Sequence, residues 1–389
     1  MPPRVAYFPD SFHEVNGVAH TSRSFAAFAR SHNVPMLVVR AGKKSRRCKP
    51  EGSVQALELG RSPLAVQLER DLYFDPLFFR YAKLISQTVR DFRPEIIHIT
   101  GPSELGIFGA YFAWKLKVPL VASWHTNVHE YAARRLSWLT RHTGRAGDSI
   151  ESSVEAAVLA VISRFYSVAK VLYAPNPELC ALLEARTGRP CHLMQRGVET
   201  GIFAPVQRTR ASRDGQLVLG YVGRLSVEKN VALLPRVDAE LRARGIAAKW
   251  LIVGHGAEDE MLRAGLHDVT MAGVLRGEAL AEAYANMHLL VFPSHTDTFG
   301  NVVLEALASG VPAIVTPDGG PAHIISAGKA MQDAETGCIA RDEEFAATIS
   351  ALLAQPETFA AMRVAARRYA MQCSWDAVFE RVMAAYPVS

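Results

Sequence analysis

No run of about 18 or more uninterrupted apolar residues occurs in this 389-residue chain, so no membrane-spanning helix is predicted. No apolar core stands behind a basic head at its start. The sequence opens directly on the strand-like Arg4–Phe8, and export is not expected. The five cysteines (Cys48, Cys180, Cys191, Cys338, Cys373) are scattered without C-x-x-C spacing. That argues against a zinc site and a disulfide framework, and predicts reduced thiols in a cytosolic protein. No D-x-D pair is present, so a metal-bridged diphosphate is not expected, and no metal or other cofactor is predicted. No G-x-G-x-x-G follows a strand, which disfavours a nicotinamide-dependent dehydrogenase. Neither sign of charge dominates, the net charge being +5, and no nucleic-acid partner is expected. The one dense cluster is Lys43, Lys44, Arg46, Arg47 and Lys49 within residues 41–50. Such a cluster either attracts an anionic membrane surface or is simply a solvated loop.

What is present suits a globular enzyme of two domains, with 49% apolar and 21% charged residues. Strand-like apolar runs alternate with helical patterns, the mark of parallel α/β architecture. In the first half, strands are predicted near Val5–Phe8, Met36–Arg40, Val54–Leu57, Glu95–Ile99, Leu120–Ser123, Val171–Tyr173 and His192–Gln195. Helices are predicted at Phe25–Arg30, Pro76–Phe92, Leu105–Leu116 and Val154–Ser167. After a polar linker, Glu199–Gln216, a second series has strands near Leu217–Val222, Lys249–Val253, Val269–Met271, Leu289–Phe292 and Ala313–Thr316. Its helices are Ala232–Arg244, Glu258–Ala264, Glu278–Asn286, Val302–Ala308 and Glu343–Leu353. Two further helices close the chain, Pro356–Tyr369 and one capped at Ser374 that runs to Tyr386. Ligands of open α/β sheets bind beyond the carboxyl ends of the strands.

The densest chemistry lies in Phe292–Pro312, where Asp297 and Glu305 stand eight residues apart around a helix start near Gly300-Asn301. Free amides at such a start favour an anion. Glu305 falls among Val303, Leu304, Ala306 and Leu307, so its carboxylate meets either the interior or a ligand. A buried unpaired carboxylate is costly, whereas ribose or hexose hydroxyls would satisfy both acids. Upstream, Tyr221-Val-Gly223-Arg224-Leu-Ser226-Val-Glu-Lys229-Asn230 puts two cations just past a strand end. Cations there would stabilise the charge that develops on a departing diphosphate. Asn16-Gly17-Val18 follows the first strand, and glycine at that point admits a close ligand approach; the same pair also reads as an ordinary turn. His125, Asn127 and Tyr131 follow the strand ending at Ser123. The stretch Tyr131–His142 mixes arginines with Leu136, Trp138 and Leu139, as either a headgroup cradle or an ordinary amphipathic helix.

These segments resemble the E-x7-E retaining glycosyltransferases of the GT-B fold, family 4, and in particular a glycolipid-forming subgroup of sulfoquinovosyl-, glucuronosyl- and mannosyltransferases. The resemblance covers nearly the whole chain and is strongest over Tyr221–Pro321. It departs from the usual pattern in having Asp297, one methylene shorter, where most members have Glu. What it implies is two doubly wound Rossmann-like domains facing a deep cleft. The N-terminal acceptor domain would span residues 1–198 with a terminal helix, about 372–389, packed back on it, and the donor domain residues 199–371. By the same resemblance Glu305 binds the nucleotide ribose, Asp297 contacts the transferred sugar, and Arg224 and Lys229 clamp the diphosphate. Gly17 and the amides around Phe299, Gly300 and Asn301 touch the donor phosphates, while Val274 and Leu275 flank the base. His125 lies by the sugar and acceptor, with Asn127 and Tyr131 beside it. The implied reaction is metal-independent transfer of a hexose, with retention, from a nucleotide diphosphate sugar (a UDP-sugar or GDP-mannose) to an acceptor hydroxyl, a lipid or carbohydrate, at the inner face of a membrane. A nucleotide-sugar epimerase, a glycosyl phosphorylase or a non-catalytic sugar-nucleotide-binding protein stays open. Pro317-Asp318-Gly-Gly320-Pro321 reads as a tight structural turn.

Overall fold

The computed structural model describes residues 2–14, 17–69, 72–124, 159–207, 209, 216–297, 299–332 and 334–387. The chain divides into two compact units, residues 1–196 with 378–389, and residues 197–377. The division differs slightly from the expected boundaries at 198/199 and 371/372, for a local reason. Val198 N–H donates to Cys373 O at 3.0 Å, and a Cβ on Gly197 would stand 2.5 Å from the Trp375 ring. Residues 197–198 and 373–377 therefore pack with each other in the second unit.

The first unit is built on strands β1 (Val5–Phe8), β2 (Met36–Gly42), β3 (Arg46–Arg47), β4 (Val54–Gly60), β7 (Ile96–Ile99), β8 (Leu120–Ser123), β9 (Val171–Ala174) and β10 (Cys191–Leu193), with a separate hairpin of β5 (Val66–Glu69) and β6 (Leu72–Phe74). Their order is β10-β9-β8-β7-β1-β2-β4-β3, all parallel except β3, which runs against β4. The strands read as continuous apolar runs because both faces are covered. Ala6, Phe8, Leu37, Val39, Ile97 and Ile99 enter a core completed by Phe108 and Phe112 from the helix Glu104–Leu116. The last residues of the chain belong here too. Phe379 stacks on Phe25 with ring centroids 4.6 Å apart, Tyr173 Oη donates to Val382 O at 2.7 Å, and Tyr386 Oη lies 2.6 Å from His98 Nδ1.

The second unit has β11 (Leu217–Val222), β12 (Ala248–Val253), β13 (Val269–Gly273), β14 (Leu289–Phe292), β15 (Ala313–Val315) and β16 (Gly337–Ile339). Its order, β13-β12-β11-β14-β15-β16, is fully parallel and doubly wound from β11 outwards in both directions. Leu219, Trp250, Val291, Ile314, Val303 and Leu307 share its core. Trp250 is wholly buried and its indole N–H is satisfied by Asp238 Oδ1 at 2.9 Å. In each sheet the strand order reverses beside one strand, at β1/β7 and at β11/β14, and ligands of such sheets bind at those two points.

Several elements were not anticipated: β3, the β5–β6 hairpin, β16, and the helices Pro177–Thr187 and Gly319–Gln332. The second of these helices corrects the reading of Pro317–Pro321 as a turn alone, since Gly319, Gly320 and Pro321 form its first turn. The basic cluster is likewise partly ordered rather than a free loop. Arg46 stands 3.6 Å from Glu58 and Arg47 3.9 Å from Asp91, whereas Lys43, Lys44 and Lys49 are exposed and make no ion pair among the described residues. No described helix is long and apolar enough to cross a membrane.

Candidate active site

At the switch point of the second sheet, the loop after β11 meets the loop after β12. Gly223 N–H donates to Val253 O at 3.0 Å, Leu225 N–H to His255 O at 3.2 Å, and Glu258 N–H to Leu225 O at 3.1 Å. Glycine is required for so close an approach: a Cβ on Gly254 would stand 1.8 Å from Gly223 O, and Gly254 itself has φ +140°. The buried Tyr221 fixes the next turn, donating from Oη to Arg224 O at 2.9 Å while its ring stacks on Phe292 at 6.0 Å. Burial and the Asp297 charge push its phenol well above the ordinary range. A single 3-10 turn, Val227–Lys229, then ends at Asn230 in the left-handed region (φ +53°).

That turn aims Lys229 across the switch point. Its Nζ lies 2.8 Å from Asp297 Oδ2, and both side chains are mostly buried, at 14% and 23% exposure. Asp297 sits on the loop after β14, and several bonds hold that loop in place. Thr316 Oγ1 donates to Ser294 O at 2.7 Å, Thr296 Oγ1 to Glu228 O at 3.2 Å, and Gly320 N–H to Asp297 O at 2.9 Å. A Cβ on Gly319 would stand 2.5 Å from that same carbonyl. His295 bridges two acids, with Nδ1 2.6 Å from Asp318 Oδ2 and Nε2 3.1 Å from Asp342 Oδ1. The hydrogen bond to Asp318 holds its imidazolium, raising its pKa. Asp342 also accepts from Asn230 Nδ2 at 2.9 Å.

Gly300 turns the chain at φ +83° into the helix Asn301–Ala308, whose first amides have no partner within the helix. One turn in, Glu305 Oε2 accepts from Tyr284 Oη at 2.8 Å. Among the described residues Oε1 receives no hydrogen bond. Burial pushes the Glu305 carboxyl up to about 7, against the lowering effect of the Tyr284 hydrogen bond. Phe299 and Leu275 are partly buried against the second core, and Val274 is 64% exposed just past β13. Arg224 is 75% exposed and pairs with Glu228 Oε1 at 3.0 Å. Of the four charged residues singled out in this half, the structure thus joins Lys229 to Asp297 directly and leaves Arg224 facing solvent.

In the first unit, Gly17 is the first residue of the helix Gly17–Ser31. His125, Asn127 and Tyr131 lie outside the described residues. The β1/β7 switch point carries Asp10, whose N–H donates to Thr100 Oγ1 at 2.7 Å and whose Oδ1 accepts from Ser103 Oγ. Burial raises its carboxyl to about 6. Asp10, Tyr221, Tyr284 and the His295 cluster were not singled out from sequence. Tyr284 and Asp342 carry no local signal, because each reaches the site only through tertiary packing. His295 stands two residues before Asp297, and Asp10 follows the first strand, so both had a positional clue.

Two family models match the chain: "Glycosyl transferase 4-like domain" over residues 16–190 and "Glycosyl transferases group 1" over residues 216–355. A GDP-mannose-dependent alpha-mannosyltransferase of Mycobacterium tuberculosis is 32% identical over 77% of this chain and 74% of its own. The sulfoquinovosyl transferase SQD2 of Arabidopsis thaliana is 29% identical over 98% of this chain and 72% of its own. Among solved structures, a sucrose-phosphate synthase from Thermosynechococcus elongatus shares the fold, with TM-score 0.63 and 17% identity over 99% of this chain and 100% of that one. Matched in both units and related at this identity along most of its length, the chain belongs to the family 4 glycosyltransferases of GT-B fold.

Proposed function

We propose that the protein transfers a hexosyl residue from a nucleotide diphosphate sugar, foremost GDP-mannose, to a hydroxyl of a membrane glycolipid precursor, with retention of configuration and without a metal ion. The observation that carries this reading is the Lys229–Asp297 pair at the β11/β14 switch point, with Glu305 one turn into the helix that follows. Mannose and a glycolipid acceptor are supported by the names of the mycobacterial and plant relatives.

Each group has a task suited to its chemistry. Glu305 Oε1, ionised, accepts hydrogen bonds from the ribose hydroxyls, and Tyr284 holds the other oxygen so that the carboxylate keeps its aim. Lys229 and Arg224, with the amides at Gly300 and Asn301, meet the negative charge that grows on the departing diphosphate. Cations and backbone dipoles of this kind take the place of a metal ion in our reading. Asp297, held by Lys229, turns its remaining oxygen to sugar hydroxyls. Acceptor recognition is assigned to the first unit, to His125, Asn127 and Tyr131, on the resemblance alone. Retention follows if the leaving phosphate takes the acceptor proton on the same face. Lys43, Lys44 and Lys49 draw the protein to the cytoplasmic face of an anionic membrane.

A thermal-shift screen of GDP-, UDP- and ADP-sugars tests the donor, with stabilisation by GDP-mannose expected to be largest. Transfer assayed with and without a chelator, and NMR of the product's anomeric proton, tests the rest. Equal melting curves with and without every donor would end the proposal; an inverted product or loss of activity with chelator would end its mechanistic part.

A further inference from the structure

The helix Glu104–Leu116 in the first unit is apolar on two opposite sides. Leu105, Phe108, Phe112 and Ala113 are buried in the core of the unit. At 3.6 residues per turn, Ile107, Tyr111 and Trp114 fall within about 60° of one another on the other side. They are 42%, 44% and 77% exposed. A helix lying on a globular surface ordinarily presents polar residues there, and a helix apolar all round is ordinarily buried. This one obeys neither pattern, and Glu104, its single acid, is itself buried. Phe79, 60% exposed, meets the ring of Phe108 at 5.5 Å, and Leu77 beside it is exposed as well. Tyr111 and Trp114 pack at 6.1 Å. Isolated surface apolar residues are commonplace, but three on one stripe of a helix, two of them aromatic and in contact, mark an interaction face.

The charges around the patch say what covers it. Lys115 Nζ donates to Tyr111 Oη at 3.1 Å and sits 5.2 Å over that ring, and Lys117 ends the helix, exposed. Lys83, also exposed, lies four residues after Phe79. Trp and Tyr favour the headgroup layer of a bilayer, and lysine stems lie along apolar surface while the ammonium reaches anionic headgroups. A second copy of the chain would instead set lysine against lysine, with no exposed acid on this helix to meet either. We infer that the face formed by Ile107, Tyr111 and Trp114 docks the protein on an anionic lipid bilayer. This deepens the membrane part of the proposed function and rests on it, yet it is read out without any transfer assay.

The experiment is co-sedimentation of the full chain with vesicles of phosphatidylcholine alone and of phosphatidylcholine mixed with phosphatidylglycerol. Wild type and a control changed at an exposed apolar residue of the second unit, Val206→Ser, are expected to bind the anionic vesicles and to bind the neutral ones more weakly. The double variant Ile107→Ser, Trp114→Ser should melt at the wild-type temperature, keep its donor-induced thermal shift, and lose vesicle affinity at least about ten-fold. Undiminished binding by the double variant, or no binding by wild type, overturns the inference and leaves the donor-site reading standing. So does analytical ultracentrifugation that shows a wild-type dimer dispersed by the double variant, which would make the face a self-association surface.

Discussion

Lys229 and Asp297 neutralise one another across 2.8 Å in a largely buried setting, so removing either leaves its partner without a counter-charge. Lys229→Ala is expected to lower the transfer rate at saturating donor by about 10²–10³-fold, the range for losing one preorganised group aimed at developing charge. Arg224, exposed and paired among the described residues only with Glu228, contributes little to the fold. Arg224→Ala should therefore melt as wild type does while losing turnover to a similar extent. Wild-type rates in both variants would remove these cations from the mechanism. Glu305 gives a prediction with a definite sign. Its carboxyl rises from 4.5 to about 7 on folding, so between those values the native state binds more protons than the unfolded chain. Unfolding free energy must then fall as pH rises through that window, by on the order of 3 kcal/mol for this one group, and the effect must vanish below about 4.5. Urea titrations of wild type and Glu305→Gln at several pH values measure it; a gap between the two proteins that grows in the opposite direction would show the carboxyl to be stabilised, not strained, by its site.

Elements set these residues in place through backbone proximity, and glycine permits it. Gly254→Ala forces a methyl group to within 1.8 Å of a neighbouring carbonyl at a φ that L-residues avoid. The variant is expected to lose at least about 2 kcal/mol in chemical denaturation, and the donor-induced thermal shift with it. A wild-type denaturation midpoint would mean that the β11 and β12 loops are not packed as described. Local signals of this type are also what made parts of the molecule legible in advance. The apolar runs of β11, β12 and β14 and the Gly300-Asn301 helix start were readable because period, length and a breaker agree there. The helix Pro177–Thr187 escaped notice although Asn176 caps it, Pro177 opens it and Gly188 closes it, because its apolar residues mark no clear face. The helix Gly319–Gln332 was hidden by the Asp-Gly-Gly-Pro that begins it, which carries the strongest turn signals in the chain. In the candidate site, Asp297 and Glu305 stand out by their spacing. Tyr284 and Asp342 could not, since nothing near either residue tells which carboxylate or imidazole it will meet.

The whole molecule is two doubly wound sheets, and the chain returns to the first of them at its end. Phe379 and Tyr386 fill the first unit against Phe25 and His98, hundreds of residues away in sequence. Phe379→Ala should cost about 3–5 kcal/mol, the range for emptying a buried aromatic site, and the loss should appear in the unfolding of the first unit. Donor affinity provides the contrast, because every donor contact assigned to a described residue other than Gly17 lies in the second unit. If Lys229, Asp297 and Glu305 hold an activated sugar at the β11/β14 switch point, altering any of them must weaken donor binding. Calorimetric titration of GDP-mannose into wild type, Lys229→Ala and Glu305→Gln measures this. A dissociation constant at least about tenfold weaker is expected in each variant, with wild-type binding tightening as pH rises through 7. Equal affinities in all three proteins would mean that these side chains do not touch the donor.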